Sequence, residues 1–211
     1  MADTLFWDVD TQVDFMDPAG APYVPRAETI VANLERLTLH ARRMGIARAG
    51  SVDQHAPGEP ELFGLPGFLD TYPPHCVAGT PGSAKIAATQ PQNALWIPSN
   101  PVPAPALAAQ IRNHPGEVFL LKHRFDVFSN PNTCTVLRAY GPSRIVVYGV
   151  ALDVAVRHAV EGFLTLTGWE IWLVEDAVKA VRPEAAAGLL DDWRGRGVRT
   201  VGTDEVLDLA R

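Results

Sequence analysis

The chain has 211 residues, 47% of them hydrophobic and 20% charged, enough for one substantial core and in keeping with a single domain over 1–211 rather than two small ones. A formal net charge of −6 leaves no electrostatic footprint for nucleic acid or an anionic membrane surface. No apolar run approaches the roughly 20 residues that span a bilayer, and Met1 to Asp8 lacks the basic start and apolar stretch of a signal peptide, so a cytoplasmic setting is expected. Two cysteines, Cys76 and Cys134, make no disulfide framework, which suits a reducing compartment.

In chain order, Leu5 to Asp10 reads as a buried first strand ending in acid. Thr29 to Met44 has helical period, with Ile30, Val31, Leu34, Leu37 and Ala41 on one face and Gly45 as its stop. Ile46 to Val52 is a second strand, stopping at Asp53. Gln54 to about Asn93 is rich in proline and glycine and reads as a long irregular stretch, a feature that in a compact domain usually carries function. Ala104 to Asn113 predicts a helix, Val118 to Lys122 a strand ending in a cation, and Thr133 to Tyr140 a short helix. Arg144 to Gly149 is a strand, followed by a helix from about Asp153 to Leu166. Glu170 to Glu175 is a strand, Pro183 to Arg196 a helix with proline near its start, and Val198 to Val201 a short last strand. Strands alternating with helices imply an α/β fold: a mostly parallel sheet covered on both faces, Rossmann-like and three-layered.

In such sheets ligands bind beyond the carboxyl ends of the strands. Asp10, Asp53, Lys122 and the Gly149–Ala155 turn all fall there. Asp10, leaving a buried strand in Asp10-Thr-Gln12-Val-Asp14-Phe15, can take a proton from a nucleophile or substrate; its ordinary reading is a turn cap, with Asp14 solvated. Lys122 can hold a carboxylate ionised and stabilise developing negative charge, or it can be a snorkelling surface lysine. Asp53 and His55 point the same way at a strand end, and His75 returns from the loop; two imidazoles and a carboxylate suit zinc, iron or manganese, although loop histidines also make ordinary hydrogen bonds. Phe15 and Tyr72 either clamp a flat ring or pack in the core. The stretch from Gly149 to His158 closes a hydrophobic strand and opens an amphipathic helix, the place where α/β enzymes aim a nucleophile. The residue at that bend is Ala155, where a cysteine is expected, and no other residue of the turn can replace it. His158 lies almost one helical turn further on and is expected to face elsewhere.

Together, Asp-x-Gln-x-Asp-Phe at 10–15, Asp-x-His at 53–55, Tyr-Pro-Pro-His-Cys-Val-x-Gly-Thr at 72–80, Lys-x-Arg-Phe-Asp-x-Phe at 122–128 and Gly-Val-Ala-x-Asp-Val-x-Val at 149–156 resemble the isochorismatase-like cysteine hydrolases, nearest the nicotinamidase (pyrazinamidase) branch. The resemblance covers nearly the whole chain. It implies a six-stranded parallel sheet, homo-oligomers, and a Cys-Asp-Lys triad that hydrolyses a small linear amide through a thioester. By that resemblance Asp10 is the proton acceptor, Lys122 the triad lysine and Ala155 the nucleophile position. Asp53, His55 and His75 match the ligands of a divalent metal, zinc first with iron or manganese as alternatives, that orients a pyridine nitrogen through its waters. Phe15 and Tyr72 match the residues that sandwich the ring, Tyr72 in place of the more usual tryptophan. The Val150–Ala151 peptide matches one that is cis, turning the backbone N–H groups of Ala151 and position 155 towards an oxyanion. Leu152 replaces the family's threonine, and Ala155 its cysteine. Three readings stay open: an amide hydrolase whose cysteine was exchanged to trap a ligand; a natural pseudoenzyme that binds a small ring-containing ligand or a partner; and a thiol-independent hydrolase in which Asp10 acts as an acid on a vinyl ether.

Overall fold

The computed structural model describes residues 4–59, 62 and 72–208. Its centre is a seven-stranded sheet: β1 (Thr4–Val9), β2 (Ala47–Asp53), β3 (Leu95–Ile97), β4 (Val118–Lys122), β5 (Arg144–Val150), β6 (Glu170–Lys179) and β7 (Arg199–Val201), in the order β3-β4-β2-β1-β5-β6-β7. Every pairing is parallel. The helices are α1 (Val13–Met16), α2 (Val31–Met44), α3 (Ala104–Asn113), α4 (Thr133–Tyr140), α5 (Ala155–Thr165), α6 (Pro183–Gly195) and α7 (Thr203–Asp208).

The alternation of β1 sorts its side chains between two cores. Leu5, Trp7 and Val9 face buried residues of α3, α4, α5 and α6; Phe6 faces those of α2 and α7. Helices therefore cover both faces, as a parallel sheet requires. Asp8, in mid-strand and fully buried, would be costly there alone; Arg48 at 2.5 Å and Lys85 at 3.1 Å neutralise it, and Arg48 also pairs with Glu117 at 2.5 Å. Gly45 ends α2 in a left-handed conformation (φ 66°) and returns its N–H to the carbonyls of Ala41 and Arg42.

The three-layer α/β expectation holds, with seven strands where the resemblance implied six. The additional strand is β3, three residues on the sheet edge, too short to carry a readable period. β6 runs on past Glu175 to Lys179 through an irregularity: Val147 pairs with Leu173, but Gly149 pairs with Val178. The bulged Asp176 accepts the N–H and the hydroxyl of Thr203 at 2.8 and 2.7 Å, which starts α7, a helix the sequence pattern did not show. Part of the long stretch read as irregular, 60–61 and 63–71, lies outside the described residues; short 3-10 turns at Pro81–Ser83 and Ala87–Thr89 occupy some of the rest.

Gly149, near the end of β5, has φ 118°, and a Cβ there would sit 2.1 Å from the carbonyl oxygen of Val9 on β1. Only glycine lets the two central strands close at this point. Gly149→Ala is expected to cost about 1–3 kcal/mol, read as a lower Tm in thermal unfolding; an unchanged Tm would contradict the close approach.

Candidate active site

From β1 the chain builds the sheet outwards through β2 and β4 on one side and β5, β6 and β7 on the other. Such a switch leaves a crevice at the strands' carboxyl ends. A small cavity opens there, enclosing about 40 Å³ of space open to water. Asp10 follows β1, Asp53 ends β2, and Ala155 follows β5; all three line it. Phe15, Tyr72, His75 and Phe125 supply rings, and Pro22, Val24, Val150, Val154 and Val181 make the rest of the wall apolar.

The polar centre is a cation between two carboxylates. The register pairs Asp53 with Lys122 across β2 and β4. The Lys122 ammonium contacts Asp53 Oδ1 and lies 2.8 Å from Asp10 Oδ2. Lys122 is 0% exposed, so it is no snorkelling surface lysine. Asp10 sits in the left-handed region (φ 48°), and its Oδ1 accepts the Ser51 hydroxyl at 2.7 Å. A non-glycine residue held there is uncommon, and such residues concentrate at functional sites. Burial raises Asp10 to about 6, against the pull of Lys122 and with the push of Asp53. Burial also pushes on Asp53, but Lys122 and His75 outweigh it and hold that carboxyl down at about 2. Burial opposes the charge on Lys122, yet its two carboxylates raise its pKa above the usual lysine value. At neutral pH both carboxyls are ionised beside the Lys122 ammonium, so the three groups carry one net negative charge.

The first motif holds this centre in place. Gln12 clamps the Asp53 backbone, its Oε1 accepting the Asp53 N–H at 2.7 Å and its Nε2 donating to the Asp53 carbonyl at 2.8 Å. Asp14 is half-buried and accepts the Cys76 N–H at 2.7 Å, beside His75 and at a residue itself in the left-handed region (φ 44°).

Asp53, His55 and His75 are all buried, and one ligand atom from each lies within 4.8 Å of the others. His75 Nδ1 sits 2.7 Å from the Pro73 carbonyl and His55 Nδ1 2.9 Å from Glu59 Oε2. A carbonyl and a carboxylate only accept, so in each ring Nδ1 carries a proton, and when the ring is neutral Nε2 is left with a lone pair. His75 Nε2 is 3.7 Å from Asp53 Oδ2, and His55 Nε2 is buried with no hydrogen-bond partner among the described residues. An orphaned buried acceptor next to a carboxylate and a second imidazole is the donor set a divalent metal takes. The residues fit such an ion.

Phe15 and Tyr72 both pack on the His75 ring, at centroid distances of 5.3 and 6.2 Å, and Tyr72 also meets Phe125 at 6.5 Å. The Val150–Ala151 peptide is cis. The turn after it is tied down by the Leu152 N–H on the Lys179 carbonyl at 2.7 Å and by Asp153, which accepts the N–H groups of Val181 and Arg182. The Leu152 side chain is buried in the core beside α5. His158 is half-buried behind Phe125, ring to ring at 4.9 Å, and is not part of the cavity wall. Neither cysteine lines the cavity: Cys76 is buried in the α2-side core, where burial and nearby Asp53 and Asp14 push its thiol far up, and Cys134 lies on α4.

The sequence reading gave no roles to Ser51, Gln12, Glu59 or the apolar walls from Pro22, Val24, Phe125 and Val181. Gln12 and Phe125 stood inside quoted motifs; the others carried no local signal, since each acts through a contact between distant segments.

Comparison with known proteins agrees with this geometry. Residues 5–205 match the isochorismatase domain family. A probable inactive nicotinamidase of Arabidopsis thaliana is 24% identical over 194 residues, covering 91% of this chain and 88% of that protein. The fold superposes on a Pyrococcus horikoshii pyrazinamidase in complex with zinc at a TM-score of 0.73, with 24% identity over 95% of this chain and 99% of that one. It superposes on an isochorismatase family protein from Desulfovibrio vulgaris at 0.76, with 26% identity over the whole of both chains. The chain belongs to the isochorismatase family, as an isochorismatase-like hydrolase fold resembling the nicotinamidases.

Proposed function

We propose that this chain is a nicotinamidase-like small-amide site without its attacking thiol, which binds a flat ring amide and as it stands does not turn it over. The observation that carries this reading is the pairing of an intact Asp10–Lys122–Asp53 centre with a methyl group, Ala155, on the wall of the same cavity. A methyl group has no lone pair and cannot attack a carbonyl carbon. Similarity to a plant relative described as a probable inactive nicotinamidase supports it.

In this reading Phe15, Tyr72 and Phe125 hold the ring by its faces and edges, and the valines exclude water. Asp53, His55 and His75 hold a divalent metal, zinc above iron or manganese, on the donor set they present. When bound there, the metal supplies a Lewis-acidic point towards which a ring nitrogen orients. Asp10 is the proton acceptor, and Lys122 keeps the carboxylates ionised side by side.

A second reading has one observation in its favour: Asp10, raised to about 6, carries a proton in mild acid and can then donate it to a vinyl ether without any thiol. Calorimetric titration with nicotinamide and pyrazinamide, on zinc-loaded and chelator-stripped protein, separates the two. Saturable binding that weakens on stripping, with no ammonia released, is expected. Absence of binding in both states would sink the proposal, and hydrolysis of a small vinyl ether by the unaltered chain, assayed alongside, would move it to the thiol-free reading.

A further inference from the structure

We infer that Glu59, itself held by His123, is the positioning residue that sets the metal affinity of the Asp53, His55 and His75 group. The inference rests on the reading that this group binds a divalent metal.

The contacts form one chain running inwards from the surface. The Ser99 hydroxyl is 2.6 Å from His123 Nε2, and His123 Nδ1 is 3.1 Å from Glu59 Oε1. That same oxygen accepts the Ala56 N–H at 2.9 Å, and the other, Oε2, takes the proton on His55 Nδ1 at 2.9 Å. The carboxylate only accepts, so His123, when neutral, donates through Nδ1 and accepts the Ser99 hydroxyl through Nε2. Every hydrogen bond then has a defined direction. The chain ends at His55 Nε2, which is buried and has no hydrogen-bond partner among the described residues. Exposure falls steadily along it: the side chains of His123, Glu59 and His55 are 43%, 20% and 0% exposed.

Glu59 thus fixes which nitrogen of His55 carries the proton and which way the ring faces. A carboxylate behind an imidazole also makes its far nitrogen a stronger donor, and such outer partners change metal affinity by about 10–100-fold. Removing Glu59 leaves His55 free to move its proton to Nε2, the atom that has to meet the metal.

His55, Glu59 and His123 also lie close enough together to hold an ion themselves. That arrangement draws on the same imidazole through Nδ1, whose proton Glu59 already accepts, and it leaves the buried Nε2 unexplained. The inner group explains both nitrogens of His55.

The test is zinc affinity, measured on the full chain by competition with a chromophoric chelator. Glu59→Ala is expected to bind one zinc about 10–100-fold more weakly. Glu59→Gln, whose amide oxygen can still accept from Nδ1, falls between Glu59→Ala and the unaltered chain; His123→Ala shows a smaller loss than Glu59→Ala. His75→Ala, which removes an inner ligand, loses more than any of them. The thermal unfolding of each metal-free variant shows that it is folded, and Glu59→Gln stands in should Glu59→Ala fail to fold. Zinc bound by Glu59→Ala as tightly as by the unaltered chain overturns the inference while leaving the metal site standing. Zinc retained in His75→Ala but lost in His123→Ala places the ion in the outer group and also overturns it. An unaltered chain that binds no zinc overturns the metal reading and this inference with it.

Discussion

Ala155→Cys is expected to give the chain an amidase activity that it lacks as it stands, with ammonia released from nicotinamide or pyrazinamide at least about 10³-fold faster than by the unaltered protein. The physical case is local. Position 155 opens α5 on the cavity wall, where a thiol gains from the helix N-terminus, from Asp10 on the same wall and from buried Lys122. Asp10 takes the thiol proton; the sulfur attacks the amide carbon; the C–N bond breaks and the nitrogen leaves as ammonia with the proton returned by Asp10. Water then splits the thioester to release the acid. Asp10 serves as base only when ionised, and burial has raised it to about 6. The rate of the altered protein is therefore expected to rise with pH through about 6 and to fall away below it. Adding Asp10→Asn should abolish the gain. A double variant that keeps full activity would remove Asp10 from the mechanism, and an inactive but folded Ala155→Cys protein would favour a site rebuilt for binding alone.

Lys122→Met is expected to be the most destabilising change in the site. It leaves two buried carboxylates facing each other with no cation between them, a loss of about 3–5 kcal/mol and on the order of 10 °C in Tm for a chain of this size. The pH dependence has a definite sign. In the unaltered chain Asp53, held near 2 against an ordinary 3.8, contributes stability above its unfolded pKa that is lost as pH falls through 4 towards 2. Asp10, raised to about 6, acts oppositely and subtracts stability as pH rises from about 4 to 6. Without Lys122 both carboxyls are pushed upwards, so the Met variant should be closest to the unaltered chain in mild acid and furthest from it at neutral pH. Thermal unfolding at the two pH values reads this directly; an equal loss at both would mean that the two carboxylates do not depend on Lys122 for their charge.

The parts of the site legible in the sequence are those fixed by strand ends. Asp10, Asp53 and Lys122 each terminate an apolar run, and in a parallel sheet such termini share one edge. Ala155 was legible for the same reason, at the bend between a strand and the helix that follows it, although the helix begins at Ala155 itself and not at about Asp153. What the sequence left ambiguous was environment. A lysine that ends an apolar strand is compatible with a snorkelling side chain, and only the pairing of β2 with β4 buries this one between two acids. β3 and α7 were missed because their stability comes from tertiary contacts: β3 from a neighbouring strand, and α7 from a cap supplied by Asp176 on β6. Glu59 was missed because its importance lies in His55 and His123, whose meeting depends on the return of the chain through β4.

The central place of β1 also bears on how the protein is made. Its partners are β2 on one side and β5 on the other, so residues 4–9 must wait for residues 144–149 before the middle of the sheet closes. During synthesis the strand that leads into Asp10 therefore has one unpaired edge for most of the time the chain is emerging. Pairing across such a sequence separation is slow, and an open apolar edge is a template for other strands. A fragment that stops short of β5 would carry Asp10, Asp53 and Lys122 yet leave that edge of β1 without its partner. The newborn protein thus depends on the arrival of β5, the strand that also delivers Ala155.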